Sequence, residues 1–245
     1  MKALFYGSSG SGKTTLASSF PGPILLISMD GEMGTDSVSD VEDLHAVNLD
    51  SWEEVEQMYW YLEGKNEYKT VVIDTVTKMQ DLAVKKVLID KGKGTENAGN
   101  WGTMHKQDWG TMATMMKTWL DNYKELDMNV VFLAQERIFN NDTETDDDAQ
   151  IDPEVGPRVS PSVGSALCAS VNYIGHTFIR EEMITKKKKV RGVTKRVKQK
   201  VTNYCLRVGP HSYYTTKVRK PKTIVAPAFL IDPSYDKLIN IKETK

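Results

Sequence analysis

A glycine-rich segment near the start of the chain has the composition and spacing of a phosphate-binding loop. Residues 7–14 read GSSGSGKT and match G-x-x-x-x-G-K-[ST] at every fixed position. The glycines let successive backbone N–H groups converge on one anion, and the positive end of the following helix adds to their field. The apolar residues 3–6 predict the strand that must precede such a loop. The segment therefore predicts a triphosphate site formed by Gly7, Ser8, Ser9, Gly10, Ser11, Gly12, Lys13, Thr14 and Thr15.

Two side chains of this segment and one distant carboxylate predict how phosphate charge and a metal ion are held. Lys13 brings a mobile positive charge to the β- and γ-phosphates. Thr14 offers its hydroxyl to Mg²⁺, which takes most of its other ligands from phosphate oxygens and water. Asp74 ends the apolar strand 71–73, where a carboxylate is expected to contact Mg²⁺ through water. The sequence thus predicts a nucleoside triphosphate and Mg²⁺ as cofactors.

Hydrolysis also needs a group that positions the attacking water. The residue after Asp74 is Thr75 and not a glutamate, so a base must come from elsewhere in the chain. Glu32 follows the second apolar strand, at the sheet edge where parallel sheets bind their ligands. It can orient and deprotonate a water in line with the γ-phosphate. Asp30 in the same turn is the alternative base, and it is also a natural capping residue for that turn.

Gln135 ends the fourth apolar strand, in the sequence VVFLAQER. A neutral amide at this place can hydrogen-bond the γ-phosphate or the attacking water and transmit the loss of phosphate to the segment that follows. The alternative is an ordinary glutamine at the end of a strand. Both interpretations remain open on the sequence alone.

Apolar strands that alternate with helices must bring these groups together. Strands apolar throughout their length are typical of a parallel sheet covered on both faces. After residue 171 the pattern changes to β-strands over 173–180, 202–208 and 213–218, and the sequence GPHS at 209–212 predicts a hairpin turn between the last two. The predicted fold is therefore an α/β P-loop fold with a mainly parallel central sheet and a C-terminal antiparallel β extension.

The overall composition predicts one main domain and excludes several classes of protein. The chain has 245 residues, of which 40% are hydrophobic, and a formal net charge of −1. This length suits one α/β core, and this charge provides no global field toward nucleic acid or a membrane. No apolar run approaches the 18 residues of a membrane span, and no signal peptide is evident. We therefore expect a cytoplasmic protein without membrane contacts.

Two segments of opposite charge stand out in the second half of the chain. Residues 140–154 contain seven acidic residues, and residues 185–200 contain nine lysines and arginines around a central Gly192. A basic hairpin tip is one interpretation of the second segment, with sequence-tolerant binding to the phosphates of single-stranded DNA. The alternative is a solvated hairpin that balances the acidic segment. The predicted DNA contacts are Lys186, Lys187, Lys188, Lys189, Arg191, Lys195, Arg196, Lys198 and Lys200. The tyrosines expected either to stack on DNA bases or to pack within the protein are Tyr173, Tyr204, Tyr213 and Tyr214.

Four elements in order, GSSGSGKTT, DGE, VVIDT and VVFLAQE, resemble the RecA-type recombinase core. The small size, the phosphate loop at the N-terminus and the late sequence TKVRKP make the chain most similar to bacteriophage RecA-like recombination ATPases of the Sak-four single-strand annealing type. The similarity covers about residues 1–222, which include 185–200 as a basic hairpin insertion and leave 223–245 as a C-terminal tail. The resemblance assigns Lys13 and Thr14 to phosphate and Mg²⁺, Glu32 to the base, Asp74 to the metal and Gln135 to the sensor.

The resemblance also implies partners and an assembly. It implies an ATPase that binds single-stranded DNA, promotes annealing or strand exchange, acts with a single-strand-binding protein and forms homo-oligomers with ATP at subunit interfaces. Lys217 and Arg219 resemble the basic finger that such proteins extend into the neighbouring subunit's ATP, and strand alternation places both on one face. The alternative is a solvated basic edge strand. Two features differ from the recombinase pattern, since nothing precedes the first strand and the segment after Gln135 is acidic.

Two other classes of protein are compatible with the phosphate loop. A small P-loop nucleotide kinase needs an arginine-rich lid, which residues 186–200 can imitate. A nucleotide-gated adaptor or loader would bind ATP without significant turnover. A GTPase is disfavoured because the chain contains no N-K-x-D motif.

Overall fold

The computed structural model describes most of the chain. Residues 34–35, 186–190 and 193–197 are described by their main chain. Glu32, Asp30 and Arg191 lie outside the described residues, as do 140–153 of the acidic segment. The described ranges are 1–29, 31, 34–92, 103–139, 154–190 and 193–241.

Strands and helices alternate in the first part of the chain, as the apolar pattern predicts. A short 3-10 helix covers Gly34–Val38. The elements up to the fifth strand are β1 (Lys2–Gly7), α1 (Lys13–Ala17), β2 (Ile24–Met29), β3 (Leu44–Leu49), α2 (Trp52–Glu63), β4 (Thr70–Asp74), α3 (Val76–Asp90), α4 (Lys106–Glu125) and β5 (Asn129–Phe139).

The second part of the chain is richer in strands. Two of them, β7 and β8, form a long hairpin. The elements are β6 (Glu154–Pro157), α5 (Pro161–Ser170), β7 (Tyr173–Val190), β8 (Val193–Arg207), β9 (Lys217–Val218), β10 (Phe229–Ile231) and α6 (Tyr235–Asn240).

One mixed sheet organises these elements, in the order β10-β8-β7-β1-β5-β4-β2-β3. The strands from β7 to β3 in this order are parallel, whereas β8 pairs antiparallel with both β7 and β10. Gly7, the last residue of β1, pairs with Gln135 on one side and with Thr177 on the other. The predicted α/β fold with a mainly parallel sheet and antiparallel C-terminal strands is confirmed.

Apolar residues cover the sheet on both faces. Alternate residues of β1 enter two different cores, with Tyr6 packed against α2 to α5 and Phe5 packed against α1 and α6. Every residue of β2 and β4 is buried, which explains why these strands are apolar without alternation. Among the described residues, no helix is both long enough and apolar enough to cross a membrane.

The hairpin predicted at residues 209–212 does not form. Arg207 of β8 pairs with His176, and Lys217 of β9 pairs with Ile174, so both strands lie along the same edge of β7 and do not pair with each other. The segment between them passes close to the tail, where a Cβ atom on Gly209 would lie 2.8 Å from the Pro227 carbonyl oxygen. The GPHS sequence therefore lies in a segment that leaves the edge of β7 after β8 and returns to it at β9.

Among the described residues, five elements are absent from the sequence predictions, and the 3-10 helix Gly34–Val38 and β6 are two of them. The edge strand β3 mixes exposed and half-buried residues and buries only Leu49, so it lacks the continuous apolar run of its neighbours. Within the tail 223–245, β10 extends the sheet by pairing with β8, and α6 buries Leu238 against the second core.

Candidate nucleotide-binding site

The loop between β1 and α1 has a backbone that requires glycine at three positions. Gly10 and Gly12 have φ angles of 74° and 90°, in the left-handed region that other residues rarely adopt. At Gly7, a Cβ atom would lie 2.4 Å from the backbone oxygen of Thr177 on the adjacent strand. The fixed glycines of the motif are thus explained by backbone conformation and by the close approach of β7.

The predicted charge and metal residues meet at this loop. The buried Lys13 ammonium donates to the backbone oxygens of Gly7 at 3.0 Å and Ser8 at 2.8 Å. The Thr14 hydroxyl donates to Asp74 Oδ2 at 2.9 Å, although the two residues lie on different elements. This pair of neighbouring oxygens fits Mg²⁺, because the ion prefers hard oxygen ligands and needs few from the protein.

A cavity of about 450 Å³ opens above the loop. It reaches from the end of β4 across β1 to β8 on the far side. Gln135 was predicted at the end of its strand but lies within β5, which continues to Phe139 by pairing with β6. The residues predicted for phosphate, metal and sensor, Lys13, Thr14, Asp74 and Gln135, therefore converge in one place, in agreement with the rule that parallel sheets bind ligands at the carboxyl edge of the sheet. The lining residues are Ser9, Gly10, Gly12, Lys13, Thr14, Thr15, Ser37, Asp74, Thr75, Gln135 and Tyr204.

Gln135 also lines a second cavity, of about 610 Å³, next to the first. Its side-chain oxygen accepts a hydrogen bond from Arg158 Nη1 at 3.1 Å. Arg137 and Lys78 line the same cavity, together with Trp109, whose side chain is 45% exposed. This cationic cavity with an aromatic wall was missed in the sequence, because its residues come from separate elements and the two arginines flank an acidic segment.

Glu136 is a second residue that sequence reasoning missed. Its carboxylate accepts a short hydrogen bond from the Ser8 hydroxyl and lies 2.8 Å from His176 Nε2. Thr177, the next residue of β7, makes a second contact with the loop, because its Oγ1 lies 2.6 Å from Ser11 Oγ. The phosphate loop is therefore held at two points to the base of the β7–β8 hairpin.

The pKa values of Glu136 and His176 are both shifted from their usual values. Burial acts to raise the pKa of Glu136, but hydrogen bonds from Ser8 and His176 outweigh it, so the pKa lies below its usual value. Burial lowers the pKa of His176, and the contact with Glu136 only partly opposes this effect. His176 is thus held neutral in the folded chain at pH values where a free histidine accepts a proton.

The free energy of unfolding should consequently fall as the pH drops below about 6.5, because the unfolded chain then binds a proton that buried His176 does not. The loss is complete once the pH passes the lowered pKa of the folded state. In His176→Gln, chemical denaturation at several pH values should show a smaller loss between pH 7 and 5. The control is His45→Gln at an exposed histidine, and an equal change in both variants would contradict the assignment to His176.

The predicted finger residues lie at the end of α5. Lys217 Nζ donates to the backbone oxygens of Cys168 at 2.7 Å and Ala169 at 2.9 Å, and Arg219 donates to Ala169 at 3.1 Å. Cations at this place stabilise the last carbonyls of a helix and its negative end. Burial lowers the pKa of Lys217, and the charge of Arg219 lowers it further. Within the described part of the chain, neither residue lines the cavity above the phosphate loop.

The basic segment runs along both arms of the hairpin. Backbone pairing places Lys187 opposite Arg196 and Lys188 opposite Lys195. Exposed Lys200 forms an ion pair with Glu181 at 2.8 Å, and Lys198 is exposed as well. The side chains of Lys186, Lys187, Lys188, Lys189, Lys195 and Arg196 lie outside the described residues, as does all of Arg191.

The comparison with protein families agrees with a nucleotide-binding domain. Residues 1–220 match the AAA domain family. Among solved structures, the chain is similar to the RadB recombinase, with 13% identity, a TM-score of 0.42 and coverage of 83% of this chain and 86% of that chain. The comparison with curated proteins found no match. Since the family match spans nearly the whole sequence, this chain belongs to the AAA domain family and carries a nucleotide-binding P-loop ATPase domain.

Proposed function

We propose that the protein is an ATP-hydrolysing recombination protein of bacteriophage type, active in the host cytoplasm. It binds single-stranded DNA, promotes annealing or strand exchange and acts with a single-strand-binding protein. The observation that carries this proposal is the position of Gln135, whose side chain borders both the phosphate-loop cavity and the cationic cavity. This position supports the proposal that Gln135 responds both to the nucleotide and to a bound polyanion.

In the first cavity, each residue has a role in binding ATP and its metal. The ammonium of Lys13 leaves the loop carbonyls and neutralises the β- and γ-phosphates. Thr14 and Asp74 hold Mg²⁺, which when bound offsets charge on the phosphate oxygens. Glu32, which lies outside the described residues and follows β2 in the sequence, is proposed to orient and deprotonate the attacking water.

The second cavity has the two properties that single-stranded nucleic acid requires. Arg137, Arg158 and Lys78 provide positive charge for phosphates, and the half-exposed ring of Trp109 provides a face for a base. Asp81 also lines this cavity and reduces, but does not reverse, its positive charge. The cavity therefore supplements the basic hairpin as a second electropositive surface.

The basic hairpin gives the proposal further support. Its register brings basic residues to directly opposite positions, at Lys187 with Arg196 and at Lys188 with Lys195. A phosphate backbone bound along these arms would offset the positive charge that the sequence concentrates there. With about four phosphate contacts, the logarithm of DNA affinity should fall with the logarithm of salt concentration at a slope of about −3.

The test measures phosphate release from ATP with and without single-stranded DNA, together with the salt dependence of DNA binding. We expect stimulation by DNA in the wild type and a weakened stimulation in Arg137→Ala. The control Lys65→Ala removes an exposed lysine outside the cationic cavity and should behave as wild type. Phosphorylation of an added nucleoside or nucleotide would favour the kinase, and tight ATP binding without turnover would favour the adaptor.

We also propose that the protein forms homo-oligomers with ATP at subunit interfaces, in which Arg219 acts on the neighbouring subunit's ATP. Mixing Arg219→Ala with wild-type protein should then reduce ATP turnover by more than the dilution of active subunits. A strictly proportional loss contradicts a role in trans. Because Arg219 also donates to the end of α5, its removal is expected to cost about 0.3–1 kcal/mol of stability. Denaturation of the purified variant must therefore show that it remains folded under the assay conditions.

A further inference from the structure

The cavity above the phosphate loop has two ends of different chemistry. Asp74 and Gln135 come from β4 and β5, on one side of β1, the strand that precedes the phosphate loop. Together with Lys13 and Thr14, these residues provide the positive charge, the oxygen ligands and the amide that suit a γ-phosphate and a metal ion. The opposite end of the cavity is lined by Tyr204 of β8, which lies beyond β7 on the other side of β1.

The ring of Tyr204 lies directly against the loop. A Cβ atom on Gly12 would be 3.2 Å from Tyr204 Cδ1, so the ring is seated on the residue that precedes α1. Its side chain is nevertheless 45% exposed, whereas Cys205 and Leu206, next along the strand, are buried. The ring therefore presents an apolar face to the open cavity and does not belong to the core.

The backbone that carries this ring is fixed from both sides. Tyr204 pairs with Ile179 across the hairpin, and its carbonyl oxygen accepts from the backbone N–H of Asp232 at 2.7 Å. An aromatic ring on such a backbone loses little conformational freedom when a ligand stacks on it. The tail residue Asp232 thus helps to hold the ring at the cavity.

We propose that Tyr204 is the stacking platform for the nucleobase of the bound nucleotide. This inference rests on the proposed function, since it requires the cavity to hold ATP. A triphosphate with its γ-phosphate at Asp74 and Gln135 runs over Lys13 and Thr14, and its nucleoside then lies toward β8. Stacking on an aromatic face suits any base, so the ring contributes affinity for the base without reading its hydrogen-bonding edge.

The experiment compares a ligand that has a base with one that lacks it. Binding of ATP and of inorganic tripolyphosphate, each with Mg²⁺, is measured on the full chain. Tyr204→Leu keeps an apolar side chain beside Gly12 but removes the aromatic face. It should weaken ATP binding roughly tenfold, within the range for loss of one stacked base, and leave tripolyphosphate binding unchanged. Tyr204→Phe should bind both ligands within about twofold of wild type, because the ring remains.

The control is Tyr213→Leu, at another exposed tyrosine that does not line the described cavity, and it should bind both ligands as wild type does. Unchanged ATP affinity in Tyr204→Leu overturns the inference, including the case in which that variant loses only single-stranded DNA binding. An equal loss for ATP and tripolyphosphate also overturns it, because the ring would then support the loop and not the base. Failure of the wild type to bind ATP would instead remove the proposed function itself.

Discussion

Replacing Lys13 with alanine should lower ATP turnover by roughly 100- to 1,000-fold, the usual effect of removing one preorganised group that stabilises transition-state charge. The ammonium lies buried within the loop, 2.8 Å from the Ser8 carbonyl oxygen, so it has only a short path to the phosphates. The measurement is steady-state phosphate release, accompanied by equilibrium binding of ATP.

A control variant and a stability measurement separate this effect from general damage. Lys65→Ala removes an exposed lysine of the same charge and should leave turnover unchanged. Lys13→Ala leaves the backbone oxygens of Gly7 and Ser8 without this donor, which is expected to cost about 1 kcal/mol of stability. A folded Lys13→Ala protein with wild-type turnover would show that hydrolysis occurs elsewhere.

Substitution of the proposed base should separate binding from chemistry. Glu32→Gln should retain ATP binding but reduce turnover by about 10²- to 10⁴-fold, the range for loss of a positioned general base. Single-turnover hydrolysis on preformed complexes measures the chemical step directly. Unchanged hydrolysis would remove Glu32 from the mechanism, and a selective loss in Asp30→Asn would assign the base to the other carboxylate of that turn.

Glu136→Gln is the informative comparison for this experiment. Glu136 is a glutamate close to the loop, but both of its oxygens are already engaged, by Ser8 and by His176. We therefore expect Glu136 to position the loop, and Glu136→Gln to cause a smaller loss of turnover than Glu32→Gln. If Glu136→Gln instead abolished hydrolysis while Glu32→Gln did not, the base would be Glu136.

Much of the fold follows from local patterns in the sequence. The loop motif, the apolar strands β1, β2, β4 and β5 and the carboxylate at the end of β4 were all predicted. Each depends on residues within one element, and burial on both faces leaves a continuous apolar run. The edge strand β3 was not predicted, because exposed residues interrupt its apolar run.

Contacts between distant segments could not be predicted in this way. Ser8 and Glu136 are separated by 128 positions, and only the central place of β1 in the sheet makes them neighbours. Gly209 illustrates the converse case, because its turn sequence predicts a hairpin, whereas the strands on either side of it both pair with β7. Neither outcome is encoded in residue spacing.

The sequence by itself determined that a triphosphate site is built at the carboxyl edge of a mainly parallel sheet, because glycine conformation and strand burial are local properties. Only the tertiary structure decided what surrounds that site. The cationic cavity beside Gln135, the carboxylate of Glu136 on the loop and the ring of Tyr204 over Gly12 each depend on strand order, which long-range packing sets.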